Sequence, residues 1–132
     1  MSRALSLSVR VEADASRAAL ESTRYALEAG FEETASRLIA TAVSELARNI
    51  LKYAHGGEIR LRRVESSKGQ GIQIEAVDQG PGIADVAAAM NDHYSTGGTL
   101  GLGLPGVKRM MSEFSLESTP GEGTHVTATL WK

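Results

Sequence analysis

Glycine placement constrains this chain more than any other feature of its sequence. Seven of its fourteen glycines fall between Gly80 and Gly106, and glycine weakens the interior of helices and strands. That stretch must therefore turn sharply or lie close to something, and the regular elements must be built around it. Leu5, Leu7, Val9 and Val11 alternate with Ser6, Ser8, Arg10 and Glu12, which predicts a half-buried strand. Asp14 then opens a helix through Arg17, Leu20 and Tyr25 to Leu27, stopped by Gly30. A longer helix is expected over 32–54, with the apolar stripe Ile39, Val43, Leu46 and Ile50 and an end at Gly56-Gly57. Ile59 and Leu61 begin a strand, Ser66 to Gly69 reads as a hairpin loop, and Gly71 to Asp78 returns as a strand.

After Asp78 the texture changes. Asp78-Gln79-Gly80-Pro81-Gly82 is a tight loop, Ile83 to Met90 a short alanine-rich helix, and Asn91 to Gly103 a Gly/Ser/Thr-rich segment with few apolar anchors. Pro105 suits the first turn of a helix running to Phe114. Ser115 to Ser118 and Thr124 to Trp131 form a last hairpin. The order βααββααββ predicts an α/β two-layer sandwich, a mixed or antiparallel sheet with helices on one face. With 132 residues, 1–132 is expected to be one domain.

Composition removes several classes of function. Net charge is −2 and no Lys/Arg cluster dominates, which argues against nucleic-acid binding. The longest apolar run, Val86 to Met90, is far short of the ~20 residues of a membrane span. Without a secretory h-region, and without cysteine for a disulfide framework, the expected place is the cytoplasm.

Four constellations bear on chemistry. Glu45 and Asn49 lie one turn apart at the border of the apolar stripe. A carboxylate there can take a proton and a carboxamide oxygen can hold Mg²⁺; equally, Glu45 can simply pair with Arg48 or Lys52. Asp78 continues the parity of Ile72, Ile74 and Ala76, so a carboxylate closes an apolar face. That is expensive without hydrogen-bond donors. A purine amino group is one donor, with Gly80 and Gly82 letting the base approach; local turn N–H groups are another. Thr124 shares the core-side parity of Val126, Ala128 and Leu130, either as a second polar group of the site or as a strand threonine bonded to backbone. Gly101-Leu102-Gly103-Leu104-Pro105-Gly106 fits G-x-G-x-x-G but follows no strand, so the dinucleotide fingerprint fails. What survives is a glycine-rich segment feeding a helix start, a place for phosphate. His55, His93 and His125 have no metal-ligand spacing and read as surface residues.

Together these features describe an ATP site assembled from separated segments. Glu45-x-x-x-Asn49, Asp78-x-Gly80-x-Gly82 and Gly101-x-Gly103 resemble, in order, the boxes of the GHKL superfamily of ATP-binding domains found in gyrase, histidine kinases and MutL. Within it, Ser44 to Ile50, Asp78 to Ile83 and Gly103 to Arg109 look like the RsbT-type serine kinases of the stressosome, a likeness that runs from the first strand to Trp131. The resemblance implies a Bergerat-fold kinase that uses Mg²⁺ and ATP to phosphorylate serine or threonine on a STAS-domain partner, in a partner switch with a downstream phosphatase or other output enzyme. It further implies that Asp78 and Thr124 hold the adenine, with Gly80 and Gly82 shaping the base pocket. Gly101, Leu102, Gly103 and Leu104 would cradle phosphates, Asn49 would bind Mg²⁺, and Glu45 would act as general base. One departure is that Asp92 to Pro105 holds no Lys or Arg, leaving Lys108, Arg109 or a partner residue to neutralise the γ-phosphate. The alternative reading is an anti-sigma factor of the related switch family, which sequesters a sigma factor.

Overall fold

In a computed structural model of the chain, residues 4–82, 90 and 103–132 are described. Ile39, Val43, Leu46 and Ile50, the predicted stripe, are buried along one side of a 21-residue helix. Around that helix the chain runs β1 (Leu5–Val9), α1 (Glu12–Glu28), α2 (Glu33–Tyr53), β2 (Gly57–Ser66), β3 (Gly69–Asp78), α3 (Gly103–Met110), β4 (Glu113–Thr119) and β5 (Gly123–Trp131). The five strands form one sheet in the order β1-β2-β3-β5-β4, every neighbouring pair antiparallel. The expected two-layer sandwich is present, with an antiparallel rather than a mixed sheet. The short helix expected over 83–90 lies, Met90 apart, outside the described residues.

Register explains why the helices cover one face. Leu7, Ile59, Ala76, Val126 and Leu116 form one cross-strand row, and Leu5, Leu61, Ile74, Ala128 and Phe114 the next. Side chains of such rows share a face, and these pack with α2 into a single core. The alternate positions, among them Ser6, Ser8, Arg60, Arg62, Ser115 and Glu117, are exposed. Bonds between polar side chains tie that outer face together, as where Arg62 donates twice to Gln73 Oε1 at 2.9 and 2.8 Å.

Three element boundaries differ from the sequence expectation. β1 stops at Val9, and Val11 lies exposed just ahead of α1. The Asp14 carboxylate accepts from the backbone N–H of Arg10 (2.9 Å) and of Val11 (3.2 Å), which turns the chain out of the sheet and starts the helix at Glu12. Those two bonds, then the nearby Arg17 guanidinium, hold the Asp14 carboxyl below its ordinary range. α3 begins at Gly103 and ends at Met110, so Phe114 belongs to β4, not to the helix. Pairing with β5 competes for that segment: the Ser112 N–H donates to the Thr129 carbonyl at 2.8 Å, and Phe114 faces Ala128.

α1 packs through small residues. Its buried positions are Ala15, Ala18, Ser22 and Ala26, while Leu20 is 62% exposed and Leu27 48%. Among the described residues, no helix is long and apolar enough to cross a membrane.

Candidate functional site

The apolar face of the sheet ends in a polar row. Gly57, Asp78, Thr124 and Ser118 are register partners on β2, β3, β5 and β4, directly beyond the row of Ile59, Ala76, Val126 and Leu116. Asp78 is 5% and Thr124 4% exposed, so a carboxylate and a hydroxyl stand side by side at the end of the core. Asp78 Oδ1 accepts from the Gly80 N–H at 3.0 Å, the local turn bond that was one of its two expected donors. No donor to Asp78 Oδ2 occurs among the described residues. Among the described residues the enclosed, unpartnered side-chain oxygens are Ser22 Oγ and Ser36 Oγ, so Asp78 Oδ2 stays open to water or to a ligand's donor. Thr124 Oγ1 lies 3.0 Å from Ser118 Oγ, which also donates to the Gly123 carbonyl at 3.3 Å.

Glycines make this arrangement possible. A Cβ at Gly57 would lie 2.5 Å from the Val77 carbonyl and 3.1 Å from Asp78 Cβ; at Gly123, where φ is +103°, it would lie 2.1 Å from the Asp78 carbonyl. Both are contacts that no side chain tolerates. The sequence marked Gly57 only as a helix stop and left Gly123 in the connection of the last hairpin; their places in the site emerge from strand register alone. At Gly80 a Cβ would meet Ala54 Cβ at 2.6 Å, and at Gly82 the Thr119 carbonyl at 2.6 Å. The bare backbone at both positions is therefore required by packing of the turn against α2 and β4.

The helix positions the remaining groups. Glu45 is 7% exposed, and its Oε2 accepts from the N–H of Gly103, the first residue of α3, at 3.1 Å. Its Oε1 lies 3.6 Å from Arg48 Nη1, the pairing that had been the plainer reading of Glu45. The carboxylate thus joins two segments 58 residues apart in the chain. Asn49, one turn on, is half-buried. Ala54, at the far end of α2, packs on Gly80 beside Asp78. Eight helical residues separate Glu45 from the cap residue Ala54, about 13 Å at the helical rise. α2 therefore spaces the glycine-rich start of α3 from the Asp78 turn by a distance on the scale of an extended nucleoside triphosphate.

Gly101 and Leu102 lie outside the described residues. Gly103 has φ +48°, and the Leu104 side chain is buried in the core. Lys108 and Arg109 are exposed in the last turn of α3, about 7 Å or more along its axis from Gly103. Arg48, which contacts Glu45, stands nearer to the start of α3; sequence reasoning had considered it only as an ion-pair partner. His55 and His125 are surface residues as expected, His125 Nε2 lying 3.0 Å from Glu75 Oε2; His93 lies outside the described residues.

The start of α3 and the Asp78 turn thus meet, at two different levels, the helix that carries Glu45 and Asn49. Residues 34–132 match the family of histidine kinase-, DNA gyrase B-, and HSP90-like ATPases. The chain belongs to that family. It is 52% identical over 106 residues to the serine/threonine-protein kinase RsbT of Bacillus subtilis (strain 168), covering 80% of each chain. It is also 35% identical over 107 residues to the anti-sigma F factor of Thermoanaerobacter sp. (strain X514), covering 78% of this chain and 73% of the relative. Among solved structures, the histidine kinase domain from the Erythrobacter litoralis EL346 blue-light activated histidine kinase superposes with a TM-score of 0.50 at 22% identity. That superposition covers 73% of this chain and 44% of the other, and it supports the ATPase fold itself.

Proposed function

We propose that this chain is a protein serine/threonine kinase that uses Mg²⁺ and ATP to phosphorylate a STAS-domain protein of the cytoplasm, within a partner-switching module of the stressosome type. The observation that carries the reading is the buried Glu45 carboxylate, held at the first N–H of α3 while the same helix reaches Asp78 at its other end. The kinase relative at 52% identity supports the same conclusion.

The donor set fits a nucleotide. Asp78 Oδ2 and the Thr124 hydroxyl offer acceptors to a base amino group, with the Gly80 and Gly82 turn as one wall of the pocket. Gly101, Leu102, Gly103 and Leu104 are the segment for phosphates, with the α3 start contributing N–H groups. Among the described residues no three His, Asp or Glu come together as a metal site. Mg²⁺ would be held by the Asn49 amide oxygen together with phosphate oxygens and water, the usual mode for this hard cation. Bound Mg-ATP supplies the transferable phosphoryl group. Glu45 would take the proton from the partner's hydroxyl as that oxygen bonds to the γ-phosphorus and ADP leaves, and Arg48 beside it would provide the positive charge that Asp92 to Pro105 lacks. The partner's downstream target would be a phosphatase or other output enzyme.

Relatives named anti-sigma F factor support a second reading, in which sequestering a sigma factor is the main act. Radiolabel transfer from ATP to purified STAS proteins decides between them. The kinase reading expects transfer by the wild-type protein and a loss of ~10²–10⁴ in rate for Glu45→Gln with Mg-ATP binding retained. If no STAS protein is labelled and a sigma factor is retained in a pull-down, the second reading replaces the first.

A further inference from the structure

Ser118 was not among the residues that the sequence singled out, yet it touches Thr124. A hydroxyl has one proton to donate and two lone pairs. Ser118 spends its proton on the Gly123 carbonyl, which can only accept, at 3.3 Å. Either hydroxyl can donate across the 3.0 Å contact between Ser118 Oγ and Thr124 Oγ1; the arrangement that also satisfies the Gly123 carbonyl has Thr124 as the donor. Thr124 sits on β5 between Ser118 on β4 and Asp78 on β3. In that arrangement its proton points to the β4 side, and its lone pairs are left for the Asp78 side. Gly82 keeps this contact open, since a Cβ there would come within 3.2 Å of Ser118 Oγ.

The Asp78 carboxylate is acceptor-only when ionised, so the end of the core presents two neighbouring acceptors and no side-chain donor from this pair. We propose that Ser118 is a positioning residue: by fixing the polarity of the Thr124 hydroxyl it sets the preference of the site for a 6-amino over a 6-oxo purine. A 6-amino group donates to both acceptors, whereas a 6-oxo group meets lone pair with lone pair. The inference rests on the reading of the Asp78 end as the base pocket.

Calorimetric titration of the full chain with ADP and with IDP tests it without reference to phosphoryl transfer. Wild type should prefer ADP. Ser118→Ala releases the Thr124 proton to turn toward the base, so ADP should bind about three- to tenfold more weakly, the scale of one neutral hydrogen bond. IDP should bind unchanged or more tightly, so that the selectivity ratio falls. Ser118→Thr, which keeps the hydroxyl, should restore the ratio. In a Thr124→Val background, Ser118→Ala should shift the ratio no further, because Ser118 acts through Thr124. Equal weakening of ADP and IDP by Ser118→Ala would overturn the proposal, reducing Ser118 to a structural residue, while the nucleotide reading would stand. Wild type binding both equally, or neither, would sink both. Should Ser118→Ala not fold, Thr124→Val alone must lower the selectivity, and an unchanged ratio refutes the relay.

Discussion

The inner face of the sheet ends in two different ways. At the Asp78 end, the last row holds a buried carboxylate and a buried hydroxyl, and the donors among the described residues leave Asp78 Oδ2 without a partner. At the opposite end, Arg63 takes the inner-face position beyond Leu61 and donates to the Glu28 carbonyl at 3.1 Å. Lys132 donates to the Ala29 carbonyl at 3.2 Å and lies 5.7 Å from the Phe31 ring centre. Cations there meet the carbonyls that α1 leaves open at its C-terminus, where the helix dipole favours positive charge. Both ends carry charge: at the far end it goes to helix carbonyls, whereas at the Asp78 end one carboxylate oxygen holds the Gly80 turn and the other is left over. A carboxylate oxygen left accessible at the end of an apolar core, with no donor from the fold, is placed to accept from a ligand.

This contrast can be broken from either side. The largest effect is expected from Asp78→Asn, which replaces an acceptor by a group whose N–H₂ faces the base amino group. ATP affinity should fall about 10²-fold, in line with a charged hydrogen bond lost, while the melting temperature holds or rises. Calorimetry and a thermal melt on the same sample check both halves; a lower melting temperature with unchanged affinity would make Asp78 a fold residue like Arg63. Asn49→Ala sharpens the comparison at the phosphate end. It should weaken ATP binding about tenfold with Mg²⁺ present, the scale of a single ligand contact, and much less in EDTA. An equal loss in both conditions would assign Asn49 to the scaffold. The smallest effect belongs to the far end: Arg63→Ala should lower stability by about 0.5–1 kcal/mol, seen as a melting shift of a few degrees, with nucleotide affinity unmoved. A change in affinity there would show that the two ends are coupled.

Much of this molecule is legible in its sequence. The α2 stripe, the two hairpins and the parity of Asp78 and Thr124 followed from periods of 3.6 and 2, because burial of one face imposes those periods on the sequence. Boundaries were less legible where two local signals compete. Val11 continues the alternation of β1, but the Asp14 carboxylate captures the backbone N–H groups before it and ends the strand. Phe114 continues the apolar pattern of α3, but its segment pairs with β5. Leu20 and Leu27 mark α1 as a helix, yet the face it buries is made of alanines and serine, and α1 packs extensively against α2.

The site divides along the same line. Sequence alone determined which residues carry chemistry: a carboxylate and an amide one helical turn apart, an aspartate ending an apolar strand, and glycines before a helix start. These are properties of short windows, and local geometry follows from them. Tertiary structure decided what those residues meet. Strand register put Gly57 and Ser118 in one row with Asp78 and Thr124, and helix packing brought the Gly103 N–H to Glu45. Neither relation leaves a mark in a local window, because each joins segments whose spacing along the chain is free while their spacing in space is set by the shared core.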